Sequence, residues 1–422
     1  MKNILLFFLA VCLYSSCDEN ELFKLSPNLE ESNKSYENQF KAIWTAIDIN
    51  YPIWDVERDE YHLNWDSVYN EYLPKFREQD AAYLAGDTTC WFRVCMLYHN
   101  LLNNLHDGHI NVKIKDVYTG KENEVASLIG MIASYRYAYN RVIRYMTWNT
   151  VYNSENENRH PLLETKVSSD SYYWYGHFKD DIVYLSILEF NLSEIIKKRG
   201  RTEKEQNYLD IWQAWFDKIQ ELHNNRKLNG VILDVRGNPG GKIEDYQYFL
   251  GALHGDIDGD GGIHTGFLRS KSGIGRYDYE KGKDYSFHTY EKEHAIITAP
   301  IVVLADSLSA SMAEQTCLAA KRIKNAYVIG TKTSGALSPL VDFGFERNLH
   351  DNFTMFGNIG DENLIFSSFY INMPFSTFTT YEGTCLESVG VEPDQVVFDD
   401  DPNRDKQLDY ALDYILSLTR NR

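Results

Sequence analysis

Two stretches of this 422-residue chain place residues capable of acyl chemistry at the ends of apolar strands. In the first, Gly230-Val-Ile-Leu-Asp-Val235 reads as a buried strand that runs into Gly237-Asn-Pro-Gly-Gly241. Gly240 and Gly241 permit backbone angles closed to other residues and let a ligand approach the main chain. Their N–H groups can then point at a developing oxyanion. The same text also describes a ligand-free strand-to-helix turn. In the second, Ile301-Val-Val-Leu-Ala305 reads as a strand and Asp306-Ser-Leu-Ser-Ala-Ser-Met-Ala-Glu314 follows it. Ser311 opens a helix three residues before Glu314, the spacing of a capping box, so it is both a candidate nucleophile and an ordinary N-cap. A residue at the carboxyl end of a buried strand faces the crevice where α/β sheets bind ligands. Free N–H groups and the dipole of the helix favour negative charge there. Ser307 and Ser309 are the neighbouring alternatives.

Asp234-Val-Arg-Gly-Asn-Pro-Gly-Gly241 resembles the Asp-x-Arg-x-Asn-x-Gly-Gly signature of the tail-specific (carboxy-terminal-processing) serine peptidases. Ser311 to Glu314 resembles their Ser-x-x-Glu motif, which implies Ser311 as nucleophile. A serine hydroxyl needs a base. One branch of the family uses a lysine 25 residues after the serine, and that position is Ala336. Lys332 lies nearby, either as a replacement base or as a turn lysine. The tricorn-like branch uses a histidine from an earlier domain and a late glutamate. Asn104-Leu-His-Asp-Gly-His-Ile110 resembles its Leu-x-Asp-x-His segment and implies His109 as base, with His106 as the alternative. Leu386-Glu-Ser-Val-Gly-Val-Glu-Pro-Asp394 resembles its Glu-Asn-x-Gly-Val-x-Pro-Asp segment, with Ser388 in place of the Asn. That implies Glu387 as the group orienting His109, as in other triads, although the segment also fits a purely structural turn. The oxyanion would rest on the N–H of Gly240 or Gly241 with that of Met312. The resemblance implies a serine endopeptidase acting on peptides or proteins. Two alternatives stay open: an inactive peptide-binding lipoprotein of the same fold, and a Ser–Lys peptidase using Lys332.

Helical periodicity at Phe40, Ile43, Trp44 and Ile47, again from Trp65 to Phe76, and again from Phe92 to Leu105 predicts a small helical domain over 36–109. Residues 110–172 read as a β-rich segment, too short for a complete PDZ domain. From 173 to 422 short apolar strands alternate with helices, so the chain is of the α/β class. The resemblance implies a crotonase/Clp-protease-like αβ core.

The net charge of -19 argues against a nucleic-acid partner. Lys2 followed by the apolar run Ile4–Tyr14 and Ser15-Ser16-Cys17 reads as a lipoprotein signal, residues 1–17, with a polar tether over 18–35. Lipid on Cys17 would anchor the chain to the outer membrane of a Gram-negative cell envelope, on its periplasmic face or at the cell surface. Cys90, Cys95, Cys317 and Cys385 show no metal spacing and read as buried free thiols, with a Cys90–Cys95 pair the alternative in an oxidising compartment. Asp256-Ile-Asp-Gly-Asp-Gly261 begins like a calcium loop, but its twelfth position is Phe267, so an acidic surface loop is expected. No motif requires a metal or a cofactor.

Overall fold

A computed structural model of the chain describes residues 29–126, 160–340, 359–360, 362–401 and 404–419, together with Met146 and Trp148. The expected signal, the start of the tether and most of 127–159, the middle of the 110–172 segment read as too short for a PDZ domain, lie outside the described residues. In chain order the main elements begin with α1 (Tyr36–Asn50), α2 (Trp65–Leu84), α3 (Cys90–Leu102), β1 (Asn111–Lys115) and β2 (Glu122–Ala126). Next come β3 (Leu162–Val167), β4 (Tyr173–Phe178), β5 (Ile182–Ile187), α4 (Glu203–Asn224), β6 (Gly230–Asp234), β7 (Gly262–Ser270) and β8 (Lys283–His288). The chain continues with β9 (Ile301–Ala305), α5 (Met312–Arg322), β10 (Ala326–Gly330), β11 (Ile359–Gly360) and β12 (Phe369–Asn372). It closes with β13 (Ser376–Thr380), β14 (Gln395–Val396) and α6 (Lys406–Thr419).

Helix α1 starts where the Ser35 side chain accepts the Asn38 N–H, and it buries Phe40, Ile43 and Ile47 on one face. Asn64 caps α2 in the same way. An internal proline costs a helix one hydrogen bond, yet α2 runs through Pro74 to Leu84, past the expected end near Phe76. Buried Tyr72 and Phe76 hold the helix to its neighbours on both sides of the proline. Helix α3 ends at Leu102 rather than Leu105, although Leu105 is buried in the turn that follows. Cys90 and Cys95 both sit on α3 as free thiols.

The helical unit does not close at residue 109. Its core takes in Val112 and Ile114 of β1 and Phe369 and Ile371 of β12. Strand β1 pairs antiparallel with β12, matching Val112 to Ile371, in a sheet ordered β11-β12-β1-β2. The late chain thus returns to build the early unit. The segment 110–172 is divided, since β3 joins the large sheet instead.

That seven-stranded sheet has the order β14-β10-β9-β6-β5-β4-β3, parallel from β14 to β5 and antiparallel beyond. Strands β5, β6 and β9 are buried at every position because both faces are covered. Val183, Leu185, Val231, Leu233, Ile301 and Val303 face α4 and α5. Ile182, Tyr184, Ile232, Val302 and Leu304 face Leu408, Ala411, Leu412 and Ile415 of α6. The α/β expectation holds. A further three-stranded sheet, β13-β7-β8, was not legible from periodicity, because β7 carries a bulge between His264 and Gly266.

Candidate active site

Strand β9 delivers Ser311 to the head of α5, beside the turn that follows β6. Ser311 has φ 54° and ψ -118°, a conformation that L-residues rarely adopt. It is held there by its N–H, which donates to the Ala336 carbonyl (2.9 Å) and to Glu314 Oε2 (3.1 Å). Glu314 is fully buried and also accepts from Thr333 Oγ1 (2.6 Å), Gly335 N (2.8 Å) and Ala336 N (2.7 Å). Burial pushes its carboxyl up to about 7 despite these donors. One carboxylate therefore ties the serine to the 333–336 loop. Ser309 is excluded as nucleophile: it is buried, its hydroxyl donates to the Val235 carbonyl (2.8 Å), and it accepts from Asp306 N (3.0 Å). Ser307 is exposed and does not line the site cavity.

The 234–241 string divides its labour. Arg236 is buried and forks onto Asp234 and Asp405, with Nη1 to Asp405 Oδ1 at 2.7 Å, which fixes the start of α6 to the end of β6. Asn238 donates to the Ile187 carbonyl (3.1 Å) and accepts the Gly240 N–H (2.7 Å). The expectation of Gly240 as an oxyanion donor is thereby corrected, because its N–H is already used. Gly240 has φ 108° and lies so close to Ser311 that a Cβ would sit 2.6 Å from the serine Cβ. It is a glycine to make room. Among the described residues the N–H groups of Gly241 and Met312 make no hydrogen bond, and both residues line the cavity that Ser311 lines.

This cavity, about 250 Å³, brings together Ser311 and His109 from opposite ends of the sequence. Its other walls include Ile243, Tyr285, Gln315, Leu337 and Leu340, which no motif marks. His109 follows α3 in a turn pinned by its own N–H to Asp107 Oδ1 (2.7 Å). Burial lowers its pKa to about 4, so the imidazole is neutral at pH 7. One donor atom from each of Asp107, His109 and Glu387 lies within 4.8 Å of the others. Glu387 is 2% exposed; its Oε2 accepts from Ser338 N (2.9 Å) and Leu337 N (3.2 Å), while Oε1 has no hydrogen-bond partner. His109 Nδ1 also has none. Burial, then the neighbouring Asp107, raise the Glu387 carboxyl well above the ordinary range. Burial takes Asp107 to about 7. Asp107 was missed as a site residue, although it sits inside the quoted 104–110 string.

The other candidates are otherwise engaged. His106 Nδ1 contacts Glu57 (2.9 Å), its ring stacks on Tyr61 at 3.5 Å, and its carbonyl accepts the Ser388 hydroxyl. Ser388 thus bridges the 386–394 turn to the helical unit. Lys332 pairs with Glu392 (2.7 Å) at the surface and does not line the cavity. The acidic loop is closed on itself: Asp258 holds Arg322 (2.6 Å) and Asp260 holds His264 (2.7 Å).

Comparison with known proteins agrees with this architecture. Residues 181–397, just over half the chain, match the model of peptidase family S41. A carboxy-terminal-processing protease of Bartonella bacilliformis is 27% identical over 236 residues, which span 55% of this chain and 42% of that protein, less than half its length. In fold the chain is similar to a candidate peptidase from Parabacteroides merdae (TM-score 0.59, 16% identity, 92% of this chain and 99% of that one). It is also similar to mature CPAF (TM-score 0.54, 10% identity, 92% and 96% of the two chains). With the family model covering five strands of the large sheet (β5, β6, β9, β10 and β14), Ser311 and Glu387, the chain belongs to peptidase family S41.

Proposed function

We propose that this chain is a serine endopeptidase of the cell envelope that works through an acyl-enzyme on Ser311. The observation that carries this reading is the shared cavity, which unites Ser311 and His109 across 202 positions of sequence. His109 is neutral and can take the serine proton, then return it to the leaving amine. Glu387, with a donor atom within 4.8 Å of one on His109, orients the imidazole. The Gly241 and Met312 N–H groups receive the oxyanion, and removing one such donor costs about a hundredfold or more in turnover. Since Nδ1 of His109 and Oε1 of Glu387 are both without partners, the triad closes by a small shift when substrate binds. A fluorophosphonate probe tests the assignment. The wild type and Lys332→Ala should be labelled, whereas Ser311→Ala and His109→Ala should not. Labelling that survives His109→Ala, or a folded wild type that resists the probe, favours the Ser–Lys or the peptide-binding reading respectively.

The mature chain is proposed to carry lipid on Cys17 and to sit at the outer membrane. Cys17→Ser should move it from the detergent phase to the aqueous phase on detergent partitioning. Unchanged partitioning rejects the anchor.

A further inference from the structure

We infer that Asp107, His109 and Glu387 form a binding site for a zinc ion, and that zinc there withholds His109 from Ser311. The second half rests on the triad reading above; the first does not.

The donor set is one imidazole nitrogen and two carboxylates, with the donor atoms within 4.8 Å of one another. Zinc binds such nitrogen and oxygen atoms at about 2.0–2.2 Å. Donors around one ion therefore stand no more than about 4 Å apart, and a contraction of roughly an ångström completes the site. Two of these residues carry a buried polar atom with no hydrogen-bond partner, His109 Nδ1 and Glu387 Oε1. Buried polar atoms are almost always satisfied, so two orphans on residues of one cluster ask for a ligand. Glu387 is already fixed through its other oxygen by the Leu337 and Ser338 N–H groups. Asp107 is fixed by the His109 N–H. The ligands are thus pre-positioned from two distant parts of the chain.

The chemistry selects the ion. Mg²⁺ and Ca²⁺ want six or more oxygens, which three side chains including an imidazole do not supply. A neutral imidazole with carboxylates suits a zinc-like ion, leaving a fourth position for water. Entry is open on two sides. His109 lines the 250 Å³ cavity of Ser311, and Glu387 lines a second cavity of about 940 Å³ between the helical unit and β13. Zinc bound to Nδ1 holds the imidazole in a fixed pose and adds positive charge beside it, which opposes protonation of the base.

Calorimetric titration with zinc chloride tests the site on the Ser311→Ala chain, where no proteolysis intrudes. One equivalent should bind, magnesium chloride should give no heat, and adding His109→Ala or Glu387→Gln should weaken zinc by about tenfold or more. Circular dichroism checks that each variant folds, and either variant alone is decisive. No zinc binding, or binding equally tight in both variants, overturns the proposal. In the wild type, zinc should block fluorophosphonate labelling and a chelator should restore it; labelling that persists at saturating zinc overturns the inhibitory half. A chain that binds zinc through the cluster but is never labelled, with or without metal, supports the site and removes the peptidase reading instead.

Discussion

Glu314 and Glu387 are both buried carboxyls, 0% and 2% exposed, each bonded to a residue that lines the Ser311 cavity, and burial raises the pKa of both. Their surroundings differ in one respect. Glu314 accepts four hydrogen bonds, using both oxygens, from Ser311, Thr333, Gly335 and Ala336. Glu387 uses one oxygen on two backbone N–H groups and leaves the other without a hydrogen-bond partner, in a cluster with His109 and Asp107. The first arrangement stores no capacity for further bonding and acts as a brace. The second holds a carboxyl in place while keeping a lone pair unspent, which is what an orienting or metal-binding group requires. On the proposed triad, saturation, more than burial or pKa, separates the structural carboxyl from the functional one.

The largest effect that would sharpen this contrast is catalytic. Glu387→Gln keeps a carbonyl oxygen for the Leu337 and Ser338 N–H groups but presents the wrong partner to His109. Its probe-labelling rate should fall by about three to four orders of magnitude. Its unfolding free energy should stay within about 1 kcal/mol of wild type, since the replaced oxygen makes no hydrogen bond. A large stability loss with unimpaired labelling would make Glu387 a second brace.

Glu314→Ala should show the opposite pattern. It orphans the Gly335 and Ala336 N–H groups and the Thr333 hydroxyl, all of them at buried residues, and leaves the Ser311 N–H with the Ala336 carbonyl alone. With each such loss costing about 1 kcal/mol or more, the variant should lose about 3 kcal/mol by denaturant unfolding. The pH dependence has a definite sign. Glu314 holds its proton to about 7 when folded, against an ordinary glutamate value of 4.5. Its contribution to stability is complete below 4.5 and is lost as the pH rises to about 7. Subtracting the profile of Glu314→Gln from that of wild type isolates this group, and a difference that grows in favour of wild type with rising pH would contradict it.

The same contrast explains what could be read from the chain. The buried strands β5, β6 and β9 were legible because unbroken apolar runs have few other fates. Ser311, His109 and Glu387 were reached through short strings; two of these also held Asp107 and Ser388, and the 234–241 string held Asn238. The work divided among those strings was not legible. Nothing in Gly-Asn-Pro-Gly-Gly says that Asn238 consumes the Gly240 N–H, because that bond depends on how the turn folds back. The pairing of β1 with β12 joins residues about 260 positions apart, beyond the reach of local periodicity. The walls of the cavity, Tyr285 and Gln315 among them, come from a sheet and a helix whose faces are set by tertiary packing.

A smaller effect is expected at the junction between the helical unit and the late chain. The Ser388 hydroxyl donates to the His106 carbonyl, and the ring of that histidine is clamped by Glu57 and Tyr61. Ser388→Ala removes one such bond and should cost about 1 kcal/mol. Because this bond carries the turn that presents Glu387 to the segment that presents His109, labelling should slow several-fold without being abolished. A labelling rate identical to wild type would show that Asp107 and the Leu337–Ser338 backbone alone align the two halves.

The smallest effect belongs to Lys332, and its smallness is informative. Its ammonium pairs with Glu392 at the surface, with side chains 43% and 63% exposed. Such pairs are worth below about 1 kcal/mol, so Lys332→Ala should unfold within about 0.5 kcal/mol of wild type. It should also label at the wild-type rate, because the lysine-branch position is Ala336. That residue gives only its carbonyl to the Ser311 N–H and its own N–H to Glu314. The reciprocal substitution is the sharper one. Ala336 is 5% exposed beside Ser311 and Glu314, so Ala336→Lys puts an ammonium where the other branch keeps its base. In a His109→Ala background it should restore measurable labelling if the backbone around Ser311 already suits either base. Absence of any rescue in a folded double variant would mean that Glu314, rather than Ser311, captures the new charge.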